Sequence, residues 1–251
     1  VQDLHKEKIK IKQQFLQEFY EDKFLNNKIN EKYSSPHLIS LEAKNINTDI
    51  MFIGQETNEW YGNWEDVYTR GIAEQMSIYK NFMDTHYSSM NNLFFKYIKR
   101  IVNNNNNNIV PVYTNLFKFD LGDDSRVKNI SNVSKETLSK IIEFHRGILS
   151  KEIEIIQPKI IIFFTGHNYD KLFIDPIIRK DGDYKKLYRK IDKLKCDEWK
   201  CCHLDIKEFE GFQNFTGVAY RTYHPMYLNR NLNKFGSEIV EFLMNKVDNI
   251  I

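Results

Sequence analysis

Three short polar stretches of this 251-residue chain carry the residue types that acid–base chemistry needs. Gly54-Gln55-Glu56-Thr57-Asn58 follows an apolar run at residues 50–53. A glycine there lets backbone approach a ligand closely, and the Glu56 carboxylate stands where a general base could sit. Thr114-Asn115-Leu116-Phe117-Lys118 follows a second apolar run. The Asn115 amide offers a donor and an acceptor together, which suits reading the edge of a pyrimidine. Tyr223-His224-Pro225-Met226-Tyr227-Leu228-Asn229-Arg230 follows a third run. A histidine followed by proline at a strand mouth faces a ligand more often than one inside an apolar element. Each stretch alone has a plainer explanation: a helix cap for Glu56, an Asx-turn for Asn115, a satisfied core ring for His224. A fourth stretch, residues 158–166, is architectural and breaks at Thr165-Gly166.

The elements that must position these residues alternate between strand and helix. Residues 6–32 have helical spacing, with Ile9, Ile11, Phe15, Phe19 and Phe24 recurring among charges. Strands are expected at 50–53, 110–114 and 160–165, with weaker signals at 202–206 and 218–223. Helices are expected at 79–83 and 93–101 within a long aromatic-rich stretch, then at 135–156 and 236–247. Asn103 to Asn108 is a low-complexity loop. This alternation predicts a mainly parallel sheet covered on both faces, with ligands gathering at the carboxyl ends of the strands. The expected fold class is α/β, a three-layer α/β/α sandwich around a four- or five-stranded, mainly parallel sheet. One domain spans residues 1–251, with residues 1–45 as a helical extension packed on it.

Composition excludes several classes. Hydrophobic residues make up 41% and charged residues 28%, ordinary for a globular protein. Net charge is only +2, from 36 basic and 34 acidic residues, so any attraction to phosphate must come from a local basic face. There is no apolar run long enough for a membrane span, and the first residues lack the apolar core of a signal peptide. Cys196, Cys201 and Cys202 are an odd count that argues against a disulfide framework and for a reducing cytosol. With His203 they lack the second, distant pair that a zinc site needs, so buried thiols beside a strand are expected and no metal. The expected location is the cytoplasm and the expected state a monomer.

Taken together and in order, the motifs resemble those of the uracil-DNA glycosylase superfamily, over residues 50–230. Gly54-Gln55-Glu56 resembles its Gly-Gln-Asp water-activating motif. Thr114-Asn115-Leu116 with Lys118 resembles the Thr-Asn-x-x-Lys motif of the branch that often carries an iron–sulfur cluster. Tyr223-His224-Pro225 with Tyr227, Leu228 and Arg230 is similar to that branch's histidine-proline loop. The chain also departs from the pattern. Four cysteines hold such a cluster and this chain has three, so no cofactor is expected. Glu56 replaces aspartate, Met226 replaces a small residue, and Asn58 stands where active members have a tyrosine that crowds carbon 5 of the pyrimidine.

The resemblance implies a DNA glycosylase that extrudes a base from DNA and hydrolyses its N-glycosidic bond, leaving an abasic site. Glu56 would orient or deprotonate water and His224 would hydrogen-bond the departing base. Asn115 would hold the base edge, with Gln55 and Asn58 also lining the base site. Leu228 would wedge into the vacated stack, and Arg230 and Lys118 would meet phosphate. A stacking aromatic is expected among Trp60, Tyr61, Trp64 and Phe82. Uracil and a pyrimidine enlarged at carbon 5 stand level as substrates, with DNA repair or defence against phage carrying modified bases as roles. Two other readings stay open: a DNA-binding module that recognises altered bases without cutting, and a structural α/β domain.

Overall fold

In the computed structural model the described residues are 2–27, 33–57, 60–102, 109–121, 130, 133–170, 187–208 and 211–250. The centre of the sheet is built from the apolar runs. In β1 (Ile46–Gly54) the segment Ile50, Met51, Phe52 and Ile53 is wholly buried, as is all of β3 (Ile160–Phe163). Strands so continuously apolar must be covered on both faces. They pair in parallel with each other, β2 (Val110–Asn115) joins the free side of β1, and β6 (Val218–Thr222) joins β3, also parallel. Two antiparallel strands extend the far side: β5 (Cys201–Leu204) beside β6, then β4 (Tyr188–Arg189).

The order is therefore β2-β1-β3-β6-β5-β4. The six strands among the described residues exceed the four or five expected. The additional β4 has two residues, too few to show any alternation of side chains.

Neighbouring residues of β2 point to opposite faces and identify the two helical layers. On the Thr114 side lie α1 (Gln2–Tyr20) and α5 (Ile148–Ile156), whose Tyr20 hydroxyl donates to Glu152 at 2.6 Å. On the Tyr113 side lies α3 (Leu93–Val102), with Phe94 and Phe95 against the Tyr113 ring. The C-terminal helix packs on β6 through Phe242 and Tyr220, rings 5.3 Å apart. The three-layer α/β/α fold is thus observed. At the outer edge of β2, which is buried, the Tyr113 N–H donates to the Tyr79 hydroxyl (3.0 Å), from α2 (Glu65–Asn81), which closes one open donor of the sheet.

Several boundaries differ from expectation for local reasons. The helix expected over 135–156 is two, α4 (Lys135–His145) and α5, broken where Gly147 takes φ 81°. The N-terminal helix ends at Tyr20 and passes into a wider turn, Glu21–Leu25, while residues 28–32 of the expected span lie outside the described residues. The asparagine run 103–108 also lies outside them. Among the described residues no helix is long and apolar enough to cross a membrane.

Further helices among the described residues are α6 (His167–Tyr169), α7 (Pro225–Arg230) and α8 (Ser237–Asp248). Cys201 and Cys202 are buried on β5, where loss of solvent pushes the Cys202 thiol up to about 12.

Candidate active site

The carboxyl ends of the four parallel strands bring the sequence motifs together. Gly54, the last residue of β1, pairs in register with Asn115, the last of β2. The carbonyls of Gly54 and Gln55 accept from the N–H groups of Leu116 and Phe117, at 3.0 and 3.1 Å. The two loops therefore leave the sheet as one unit. Any Cβ on residue 54 would collide with Asn115 Oδ1 and lie 3.2 Å from the Phe94 ring. Gly54 is required by close approach, and Asn115 and Phe94 flank it. Asn115 is 4% exposed.

Phe94 links this corner to the histidine. Its ring stacks on that of His224, with centroids 5.9 Å apart at 25°, and meets Phe164 and Tyr113 edge-on. His224 is the N-cap of α7, with Pro225 in the first turn, and its Nδ1 accepts from the Met226 N–H at 3.2 Å. Burial lowers its pKa, so the ring is neutral. With Nδ1 occupied as an acceptor, the proton of a neutral imidazole sits on Nε2, which is left as a donor.

Glu56 lies two residues beyond Gly54, half-buried. Its Oε2 accepts from the Ile130 N–H (2.9 Å) and its Oε1 from the Tyr169 hydroxyl (3.0 Å). Burial raises its pKa above the usual carboxylate range, with both hydrogen bonds opposing that shift and Asp120 reinforcing it. The Gln55 side-chain amide is turned to the end of β3, donating to the Thr165 carbonyl at 2.7 Å. Asn58 lies outside the described residues.

Two expected DNA contacts are corrected. Lys118 is 0% exposed, its Nζ paired with the equally buried Glu152 at 2.6 Å and bonded to Thr114 Oγ1. A cation sealed in the core cannot meet phosphate. Leu228 is also 0% exposed, because on α7 it shares the inward face with Pro225. Met226 and Tyr227 face outward instead, 47% and 41% exposed, and Arg230 is exposed beside them.

Of the four aromatics expected to stack on a base, Trp60, Trp64 and Phe82 are buried and Tyr61 is open to solvent. Trp64 packs against Phe24 and Phe119 in the core. Phe94, which sequence reasoning missed, is the ring that stands between Gly54 and His224. Its spacing to Tyr97, Ile98 and Ile101 places it on the apolar face of α3, so the sequence does not set it apart from core rings. Tyr169 was missed as well, because the stretch ending at Thr165-Gly166 reads as architecture alone.

An acid with both oxygens held, an amide at a strand end and a neutral imidazole donor are the kinds of group suited to splitting a bond whose leaving group gains negative charge. The family described as the Uracil DNA glycosylase superfamily matches this chain over residues 42–247. Comparison with curated proteins gives no match.

Proposed function

The chain belongs to the uracil DNA glycosylase superfamily, and from that premise we propose that it is a DNA N-glycosylase acting on an extruded pyrimidine. What carries the reading is the junction at Gly54, where Asn115, Phe94 and, through the Phe94 ring, His224 meet at the base of the Glu56 loop. Cleavage of the N-glycosidic bond builds positive charge on the sugar and negative charge on the base. His224 Nε2–H donates to an oxygen of the departing base as that charge grows. Asn115 holds the base edge, and Phe94 offers a ring face against which the base stacks. Glu56, its pKa raised by burial, accepts the proton of the attacking water and as an anion favours the cationic sugar.

Arg230 meets a backbone phosphate, and the exposed pair Met226 and Tyr227 replaces Leu228 as the apolar tip that fills the vacated stack. The base is uracil or a pyrimidine enlarged at carbon 5, of the kind that marks modified phage DNA. Which of the two it is depends on pocket size, since the loss of one crowding ring opens such a site.

The test is incubation with oligonucleotides holding uracil, hydroxymethylcytosine or glucosylated hydroxymethylcytosine, followed by alkali. Strand breakage at one of these bases is expected and identifies it. Binding without breakage at any base replaces this reading with that of a recognition module.

A further inference from the structure

Glu56 is held by a device that neither its motif nor the family match assigns. We propose that Tyr169 is a positioning residue for Glu56, its phenol fixing Oε1 so that the short helix α6 sets the orientation of the acid. The inference rests on the reading in which Glu56 handles the water. The Tyr169 hydroxyl donates to Oε1 at 3.0 Å and the Ile130 N–H donates to Oε2 at 2.9 Å. A carboxylate with one donor on each oxygen cannot rotate without losing one of them, and bonds to the charged form favour that form.

Helix α6 is itself anchored to the strand that delivers the histidine. Gly166, at φ 71°, donates its N–H to the Thr222 carbonyl of β6 at 2.9 Å, and a Cβ there would lie 3.2 Å from the Tyr223 ring. Asp170, which caps the helix, pairs with Arg221 of β6 at 3.1 Å, both side chains wholly buried, and accepts from the Tyr188 hydroxyl. Arg221 also donates to the carbonyls of Trp199 and Glu198, at 2.6 and 3.2 Å. Arg221 precedes His224 by three residues. One buried ion pair thus fixes both the helix that orients the acid and the strand that carries the imidazole.

Among the described residues the titratable groups facing Glu56 are Tyr169, on α6, and Asp120, beyond β2. Asp120 disfavours the Glu56 anion and Tyr169 favours it, so removing the phenol moves the acid in a known direction. The experiment compares the full chain with Tyr169→Phe, which keeps the ring. The Glu56 carboxyl carbon is titrated by ¹³C NMR, its signal assigned by loss in Glu56→Gln. The midpoint is expected to rise by about one pH unit, the size of a hydrogen bond to a charged group. An unchanged midpoint overturns the proposal.

Single-turnover excision is then followed against pH, on the oligonucleotide base that the unmodified chain cuts. Tyr169→Phe is expected to lose about tenfold on the acid side, as a one-unit shift requires, and to recover at higher pH. A loss equal at every pH, which a packing role alone would give, overturns it. Failure here and failure of the proposed function are separable. A shifted midpoint with full excision by Glu56→Gln sinks the glycosylase role of Glu56 and leaves the positioning bond standing. An unshifted midpoint sinks the bond alone.

Discussion

The role proposed for the His224 imidazole rests on its local surroundings. Burial lowers its pKa, and the Met226 N–H takes its Nδ1, so the ring is kept neutral with Nε2 as its donor. Glu56 is moved the other way, upward, also by burial. A general base acts only when ionised, so excision is expected to rise as pH climbs through the raised Glu56 pKa. Protonation of His224 is displaced toward lower pH by its burial. The pH–rate profile should therefore show an acid limb, and the Glu56 contribution to it should be lost in Glu56→Gln.

The same scale separates two cations that the sequence left equivalent. Arg230→Ala is expected to reduce the slope of log affinity for DNA against log salt by about one, the signature of a lost phosphate contact. Lys118→Met should leave that slope unchanged, since Lys118 is wholly buried. Salt titrations of binding check both. No sequence pattern distinguished them, because a lysine four residues past a threonine can project to either side of a strand end. Only the packed partner, Glu152, decides.

At the scale of elements, strand ends were the readable part. Apolar runs that stop at a polar motif marked the ends of β1, β2, β3 and β6 to within about two residues, although β1 begins at Ile46, ahead of the run expected at 50–53, and those ends carry the candidate site residues. The break between α4 and α5 was not read, since a single glycine inside a helical pattern is often tolerated. Phe94 was not read either, because with 14% aromatic residues any one ring is more often core. The inward turn of Leu228 follows from its spacing to Pro225 on α7, which a motif match ignores.

The element-scale prediction concerns the β1–β2 junction. Gly54→Ala must push Asn115 or Phe94 aside, so excision should fall by at least tenfold, a 1.4 kcal/mol loss in transition-state stabilisation, while the fold persists. Circular dichroism and single-turnover rates measure the two parts. A Gly54→Ala chain with the rate of the unmodified one removes the close approach from the account.

On the scale of the whole molecule, two buried ion pairs among the described residues tie the layers to the sheet. Lys118–Glu152 joins the end of β2 to α5, with Tyr20 of α1 donating to the same carboxylate. Asp170–Arg221 joins α6 to β6. Removing one partner of such a pair strands a charge in the core, which costs about 3–5 kcal/mol. Glu152→Ala should lower the urea midpoint by that stability, well beyond the effect of Glu136→Ala at a solvent-exposed pair. Charge composition gave no hint of these pairs, since 36 basic and 34 acidic residues nearly cancel wherever they lie.

The central claim, that an acid and an imidazole distant in the chain serve one extruded base, is tested most directly by single-turnover excision. Unmodified chain, Glu56→Gln and His224→Ala are compared on the one oligonucleotide that is cut. Each variant is expected to be slower by about a hundredfold or more while still binding that DNA. Full-rate excision by both variants would contradict the account.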